Sequence, residues 1–317
     1  MAFPLVRAGI LTGMWLAVCT GVVLPADGPL RPTDGRSRVA RPAPSNPSLN
    51  LPGSRNIRLD IRVVQIPVTV TDGLDRPVRG LRKDDFHLFE DNVEQNLAYL
   101  SIEEEPASVG LIFDASGSMR SKLDTSVAAV EQFFQTNMPG DEFLLVRFST
   151  MARLLTGFTD DTKEITGWLR MTRPAGWTAL YDAIYLGIQK MKAAKNARRA
   201  LLILSDGGDN NSRYSAQEIR SLVREADVRI YSLGLLQKSR FLEQISDESG
   251  GRMIQVHKMA DLGEAMEKMS RDLRSHYVLG YYSSNPQNDG KYRRVRVQVN
   301  QAAVRASWRR GYYAPLE

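Results

Sequence analysis

Cysteine, histidine and nucleotide-binding glycine loops are nearly or wholly missing from this chain, and each shortage closes off a chemistry. Cys19 is the only cysteine among 317 residues, so no disulfide can form within the chain and stability has to come from packing. His87, His257 and His276 are the only histidines, and they fall in distant segments without the spacing of a zinc site. Neither a Gly-x-Ser-x-Gly nucleophile elbow nor a phosphate-cradling Gly-x-x-x-x-Gly-Lys is present. The formal charge of +6 is dispersed over linker, helices and tail, and no basic run is interleaved with aromatics. This pattern argues against a nucleic-acid partner.

What is present is ordinary globular material, 43% hydrophobic and 25% charged, long enough for one large domain or two modest ones. Residues 1–26 have a signal-peptide layout: Arg7 supplies a positive charge, Ala8 to Leu24 is apolar and uncharged, and Leu24-Pro25-Ala26 offers a small residue for cleavage. An uncleaved anchor is the alternative, and membrane contact is then confined to this segment. A lipoprotein would need a small residue before Cys19, and Val18 does not match that pattern. The expected location is exported: periplasmic, outer-surface or secreted. Residues 27–55 are rich in proline, arginine and serine and read as a disordered tether.

Residues 56–104 change to strand periodicity. Val64, Ile66, Val68 and Val70 alternate with polar residues or Pro67, and the proline predicts an edge strand. Asp72-Gly73-Leu74-Asp75 reads as a turn, Arg76-Pro77-Val78 as the start of a return, and Phe86 to Asn92 as a further strand and turn. Residues 275–317 supply more strands, at His276 to Tyr282, around Val295, Val297 and Val299, and from Ser307 to Tyr313. Neither set is large enough to stand alone. Two arrangements are open: one small β-sandwich-like module built from both ends of the chain, or two separate strand extensions.

Residues 105–274 alternate strand and helix, which specifies an α/β fold with a doubly wound, mostly parallel sheet. Helices are predicted over Met119 to Gln135, Asp161 to Met171, Ala179 to Ala194, Ser215 to Ala226, Arg240 to Ser249 and Leu262 to Arg274. Strands are predicted at Val109 to Phe113, Glu142 to Phe148, Ala200 to Leu204, Val228 to Leu233 and Met253 to Val256. A short antiparallel edge is expected at Arg153 to Leu155.

The apolar run Val109 to Phe113 ends in Asp114, Ser116 and Ser118, at the carboxyl end of a buried strand where open α/β sheets place ligands. One carboxylate and two hydroxyls on a tight loop suit a hard cation. This Asp-x-Ser-x-Ser spacing resembles the metal-ion-dependent adhesion site of von Willebrand factor A domains. Two later segments, Gly176 to Ile184 and Leu201 to Gly208, match that family's pattern in the same order. The resemblance implies that Thr178 and Asp206 join Asp114, Ser116 and Ser118 around Mg²⁺, with Mn²⁺ or Ca²⁺ as substitutes. Ser116 and Ser118 would ligate directly, and Thr178 and the aspartates directly or through water. It further implies an open position that captures an Asp or Glu of a protein partner. Trp177 stands where the family usually has glycine, and either contacts the partner or packs under its loop. Asp209, Asn210 and Asn211 read as solvated turn residues or as the site's rim. Asp182 reads as supporting the site rather than ligating.

Taken with Tyr277 to Tyr282 and Arg309-Arg310-Gly311-Tyr312-Tyr313, the pattern over roughly residues 55 to 316 resembles the acidobacterial-type family of proteins related to von Willebrand factor A, which implies export but no established activity. The reading is an exported, non-enzymatic binding protein. Its rivals are a metal-dependent hydrolase using the same side chains and a structural envelope protein with a vestigial site. No histidine, lysine or glutamate is expected to serve as a base at the three loops.

Overall fold

Alternation of β-branched and polar residues sets the first strand. The computed structural model describes residues 63–103 and 105–316. The signal peptide expected at 1–26, the tether at 27–55 and the start of the strand module lie outside the described residues. β1 (Val63–Asp72) is followed by β2 (Phe86–Glu90), β3 (Val93–Gln95) and β4 (Leu97–Glu103). Asp91 and Asn92 link β2 to β3 with φ of 46° and 71°, a left-handed pair that short polar side chains tolerate and that matches hairpin twist.

The chain then alternates. It runs through β5 (Ala107–Asp114), α1 (Leu123–Phe134), β6 (Glu142–Phe148), β7 (Ala152–Thr159), α2 (Thr162–Arg170) and α3 (Leu180–Met191). It continues through β8 (Arg198–Ser205), α4 (Ala216–Glu225), β9 (Arg229–Leu235), α5 (Arg240–Ser249), β10 (Met253–Val256) and α6 (Leu262–Arg274). The last strands are β11 (His276–Tyr282), β12 (Tyr292–Val299), β13 (Val304–Trp308) and β14 (Gly311–Tyr313).

Strands β10, β9, β8, β5, β6 and β7 form one sheet in that order, parallel throughout except for antiparallel β7. Every residue of β5 is buried, because helices cover both faces. Start and stop signals act locally. Asp161 accepts from the Lys163 and Glu164 amides to open α2, Ser215 and Glu218 form a capping box on α4, and Gly250 at φ 84° ends α5. Among the described residues, no helix is long and apolar enough to cross a membrane.

The two chain ends do combine. One antiparallel sheet runs β13-β1-β11-β4 and another β14-β12-β2-β3. Ile66, Val68, Val70 and Leu279 from the first share a core with Phe86, Leu88, Val295 and Val297 from the second. This is a β-sandwich flanking the α/β body. Glu90 is buried within it at 3% exposure and accepts hydrogen bonds from the hydroxyls of Tyr281, Ser283 and Tyr312. Burial, then the bond to Glu90, pushes the Tyr312 hydroxyl up to about 12.

Four local expectations are corrected. β1 is not an edge strand, since β11 and β13 flank it. The β13 ladder begins only at Val68, so Pro67 lies where one side of the strand has no ladder to lose. The single strand expected from Ser307 to Tyr313 is two, in different sheets. The chain breaks at Arg309 and Arg310, whose guanidiniums pair with Asp227 and Asp247 on the α/β body. The edge at Arg153 to Leu155 extends over the whole of β7. Finally, the helix expected from Met119 starts at Leu123, after a 3-10 turn at Gly117–Met119.

A buried ion cluster ties the body to the sandwich. Arg252 pairs with Asp75 at 2.5 Å, in the turn after β1, and with Asp272 of α6. The Asp272 contact is poorly aligned as a hydrogen bond, and neither of its oxygens has a well-placed donor. Burial therefore pushes its carboxyl up to about 6 against the pull of Arg252. The native state thus holds a proton that the unfolded chain releases near pH 3.8. The stability this group contributes is complete below pH 3.8 and disappears as pH rises through 6. Chemical denaturation of wild type and Asp272→Asn between pH 4 and pH 7 should differ by a slope worth about 3 kcal/mol, flattened in the variant. Parallel pH profiles would refute this origin.

Candidate functional site

The loops after β5 and β8 emerge side by side, because these strands are neighbours in register from Ala107 and Arg198 to Phe113 and Leu204. Sheet order reverses here: the chain passes from β5 to β6 on one side and returns to β8 on the other. That reversal opens a crevice at the carboxyl ends of the strands. Asp114 closes β5, and its Oδ1 accepts from the Ser116 amide at 2.8 Å, which turns the chain and directs the serines into the crevice. Its Oδ2 accepts from the Ser205 hydroxyl at 2.7 Å.

The middle loop is fastened to the first by backbone bonds. The Gly117 amide donates to the Gly176 carbonyl at 3.1 Å and the Ala175 amide to the Ala115 carbonyl at 2.9 Å. Gly176 adopts φ 83°, and a Cβ there would meet the Thr150 hydroxyl at 2.2 Å, so this turn requires glycine. The third loop is fastened to the second by Asn210, whose Oδ1 accepts from the Thr178 amide at 2.7 Å. The Thr178 carbonyl accepts in return from the amides of Asn210 and Asn211.

Asp114, Ser116, Ser118, Thr178 and Asp206 therefore lie on three loops at one end of the sheet. The Ser116 and Ser118 hydroxyls are 3.1 Å apart, and the Ser118 hydroxyl donates to Asp206 Oδ1 at 2.8 Å. Asp114 is fully buried, Asp206 is 3% exposed and Thr178 is 7% exposed. Among the described residues the Thr178 hydroxyl makes no hydrogen bond. Burial pushes the Asp114 carboxyl above its ordinary value, against hydrogen bonds from Ser116 and Ser205, and nearby Asp206 adds to the rise.

A side chain missing from the sequence reading stands at the centre. Lys122 Nζ donates to Asp206 Oδ2 and, at 3.1 Å, to the Ser118 carbonyl. Its side chain is only 13% exposed. No lysine is expected from the sequence as a base at these loops; Lys122 is present there, engaged with Asp206 and the Ser118 carbonyl. Lys122 follows Ser118 by four residues, a spacing at which side chains meet across a helical turn, and that was the available signal.

The donor set fits a hard divalent cation: two carboxylates and three hydroxyls, all oxygen, from converging loops. Among the described residues no three His, Cys, Asp or Glu side chains gather as a soft or all-acidic metal cluster. The seated ammonium shows that this position already accepts positive charge.

The flanking residues sort clearly. Trp177 is 63% exposed and does not pack under its loop; its amide donates to the Thr150 hydroxyl, beside Met151, which is 56% exposed. Asp209 and Asn210 are not merely solvated turn residues. Asp209 accepts from the Tyr181 amide and the Ser212 hydroxyl, so these side chains tie loop to loop. Asp182 accepts from the amides of Arg213 and Tyr214 and braces the third loop from behind.

Residues 109–208 match the family model of the von Willebrand factor type A domain. The match runs from β5 to the loop after β8, with the sandwich strands outside it. Among solved structures, similar folds include a von Willebrand factor type A protein from Catenulispora acidiphila, at 15% identity over 81% of this chain and 74% of that one, with a TM-score of 0.49. Another is proximal thread matrix protein 1 of the mussel byssus with a zinc-occupied MIDAS motif, at 19% identity, 58% of this chain, 50% of that one and a TM-score of 0.49. A third is an aerotolerance-related membrane protein from Bacteroides fragilis, at 17% identity, 53% of this chain, 98% of that one and a TM-score of 0.45. No curated protein matches the chain in sequence. No functional reading rests on these distant likenesses.

Proposed function

We propose that this is an exported binding protein whose A domain captures a carboxylate of a protein partner through Mg²⁺, without catalysis of its own. Asp114, Ser116, Ser118, Thr178 and Asp206 would hold the ion. The serine hydroxyls and Asp206 would be the direct donors, and Asp114, with both oxygens engaged by Ser116 and Ser205, would orient them. A bound cation supplies a charge that two aspartates balance and do not reverse, so an incoming Asp or Glu is attracted. Trp177 and Met151 give the partner an exposed apolar contact beside the ion.

The observation that carries the proposal is the Lys122 ammonium on Asp206, because it marks a cation position inside an oxygen-lined crevice. Two of the histidines lie elsewhere: His87 bonds Glu94 and Asn300 in the sandwich, and His276 begins β11. The nearest basic side chain, Lys122, is engaged by Asp206 and the Ser118 carbonyl, which favours a cation position over a free base. Export is supported by the leader pattern in residues 1–26. Pull-down from a cell-envelope extract should recover a partner in Mg²⁺ and lose it both in chelator and with Asp114→Ala. Recovery insensitive to both would refute the mechanism.

A further inference from the structure

A cleft lies at the opposite end of the sheet. Where β8 and β9 begin, Arg198, Arg199 and Arg229 face this cleft of about 600 Å³, closed on its other side by β1, β11 and β14 of the sandwich. That volume is in the range of small-molecule sites. Arg229 pairs in register with Ala200, two residues on from Arg198, so Arg198 and Arg229 project from the same face of the sheet. His276, also lining the cleft, is 5% exposed, and its Nδ1 has no hydrogen-bond partner. An unpaired polar atom this deeply buried is costly unless something fills its valence.

Among the described residues more guanidiniums than carboxylates line the cleft. Burial, followed by the charges of Arg229 and Arg198, holds the His276 imidazole down to about 2, so it is neutral. Neither Arg199 nor Arg229 has an ion-pair partner among the described residues, and Arg199 Nε is buried without an acceptor. Among the described residues the lining carboxylates are Glu105, which is exposed, and Asp227, which is already paired with Arg309. Tyr282 and Tyr313, 51% and 42% exposed, add ring surface at the mouth. The chain's own first 62 residues do not suit this charge, having eight arginines against three aspartates.

We infer that this cleft binds a small organic anion. Its phosphate or carboxylate head would sit at Arg229 and His276, and its ring-bearing or apolar body against Tyr282 and Tyr313. Guanidinium forks pair with either head group in two parallel hydrogen bonds, and a neutral imidazole can donate a third.

Calorimetric titration of the full chain with phenyl phosphate and with benzoate tests this. EDTA is included to remove any divalent-ion route. At least one anion should bind, and at least tenfold tighter than benzyl alcohol. Arg229→Gln should weaken binding about tenfold or more. The preferred probe identifies the head group. As a check that needs no variant, phenylglyoxal labelling of Arg229 in the wild type should slow when the bound probe is present. Binding of neither anion, no preference over benzyl alcohol, undiminished binding by folded Arg229→Gln, or labelling unaffected by the probe would overturn the assignment.

Discussion

Replacing Lys122 by methionine should tighten Mg²⁺ binding about ten- to a hundredfold, while Asp114→Ala should weaken it by at least as much. On the proposed function the ammonium and the cation would compete for Asp206, whose Oδ2 the lysine holds. A hydrogen bond to a charged group contributes roughly 1.5–3 kcal/mol. At 1.4 kcal/mol per decade that is one to two orders of magnitude in affinity. The same change removes the counter-charge from a carboxylate only 3% exposed. Without Mg²⁺, Lys122→Met should therefore melt below wild type, and saturating Mg²⁺ should recover the loss, because a ligand selective for the native state stabilises it by mass action. In Asp114→Ala the Ser116 amide and the Ser205 hydroxyl lose their acceptor, and the loop that aims the serines loses its anchor. Calorimetry with Mg²⁺ on the three proteins decides the matter. Equal affinity in wild type and Lys122→Met would show that the lysine does not hold the cation's place.

Arg252→Ala should be the most destabilising single substitution at the junction of body and sandwich, by about 3–5 kcal/mol, which is the usual cost of removing one partner from a buried ion pair. Asp272 is 1% exposed and would be left without its counter-charge, and the turn at Asp75 would lose its tie to the body. At roughly 2–4 °C per kcal/mol for a domain of this size, the melting temperature should fall by about 6–20 °C. Asp75→Ala should cost much less, because its carboxylate is 33% exposed and keeps access to water. The pair Arg252→Met with Asp272→Leu should restore most of the loss, since apolar groups of similar volume replace buried ions without a desolvation cost. Thermal melts of these variants check the prediction. A loss under 1 kcal/mol in Arg252→Ala would mean that water reaches the cluster and screens it.

Much of the α/β body was legible because its signals are local. α5, β10 and α6 fall where capping residues and period alone put them, with Ser239 opening α5 and Gly250 closing it. Errors fell where a distant partner decides. Pro67 reads as an edge marker, yet β13 arrives from more than two hundred residues away and pairs only past it. The strand expected from Ser307 to Tyr313 is divided because Arg309 and Arg310 find acids in the turn after α4 and on α5 that no local pattern announces.

By itself the sequence determined a doubly wound sheet with Asp114, Ser116 and Ser118 at the end of its most buried strand, since apolar periodicity and turn chemistry act over a few residues. Tertiary structure alone decided that Lys122 fills the crevice with its own charge, that Asn210 and Asp209 bind the loops together, and that three strand-leading arginines enclose a second cleft with the sandwich. Those outcomes depend on which charges meet across long separations in the chain, and electrostatic pairing at a few ångströms has no periodicity to read.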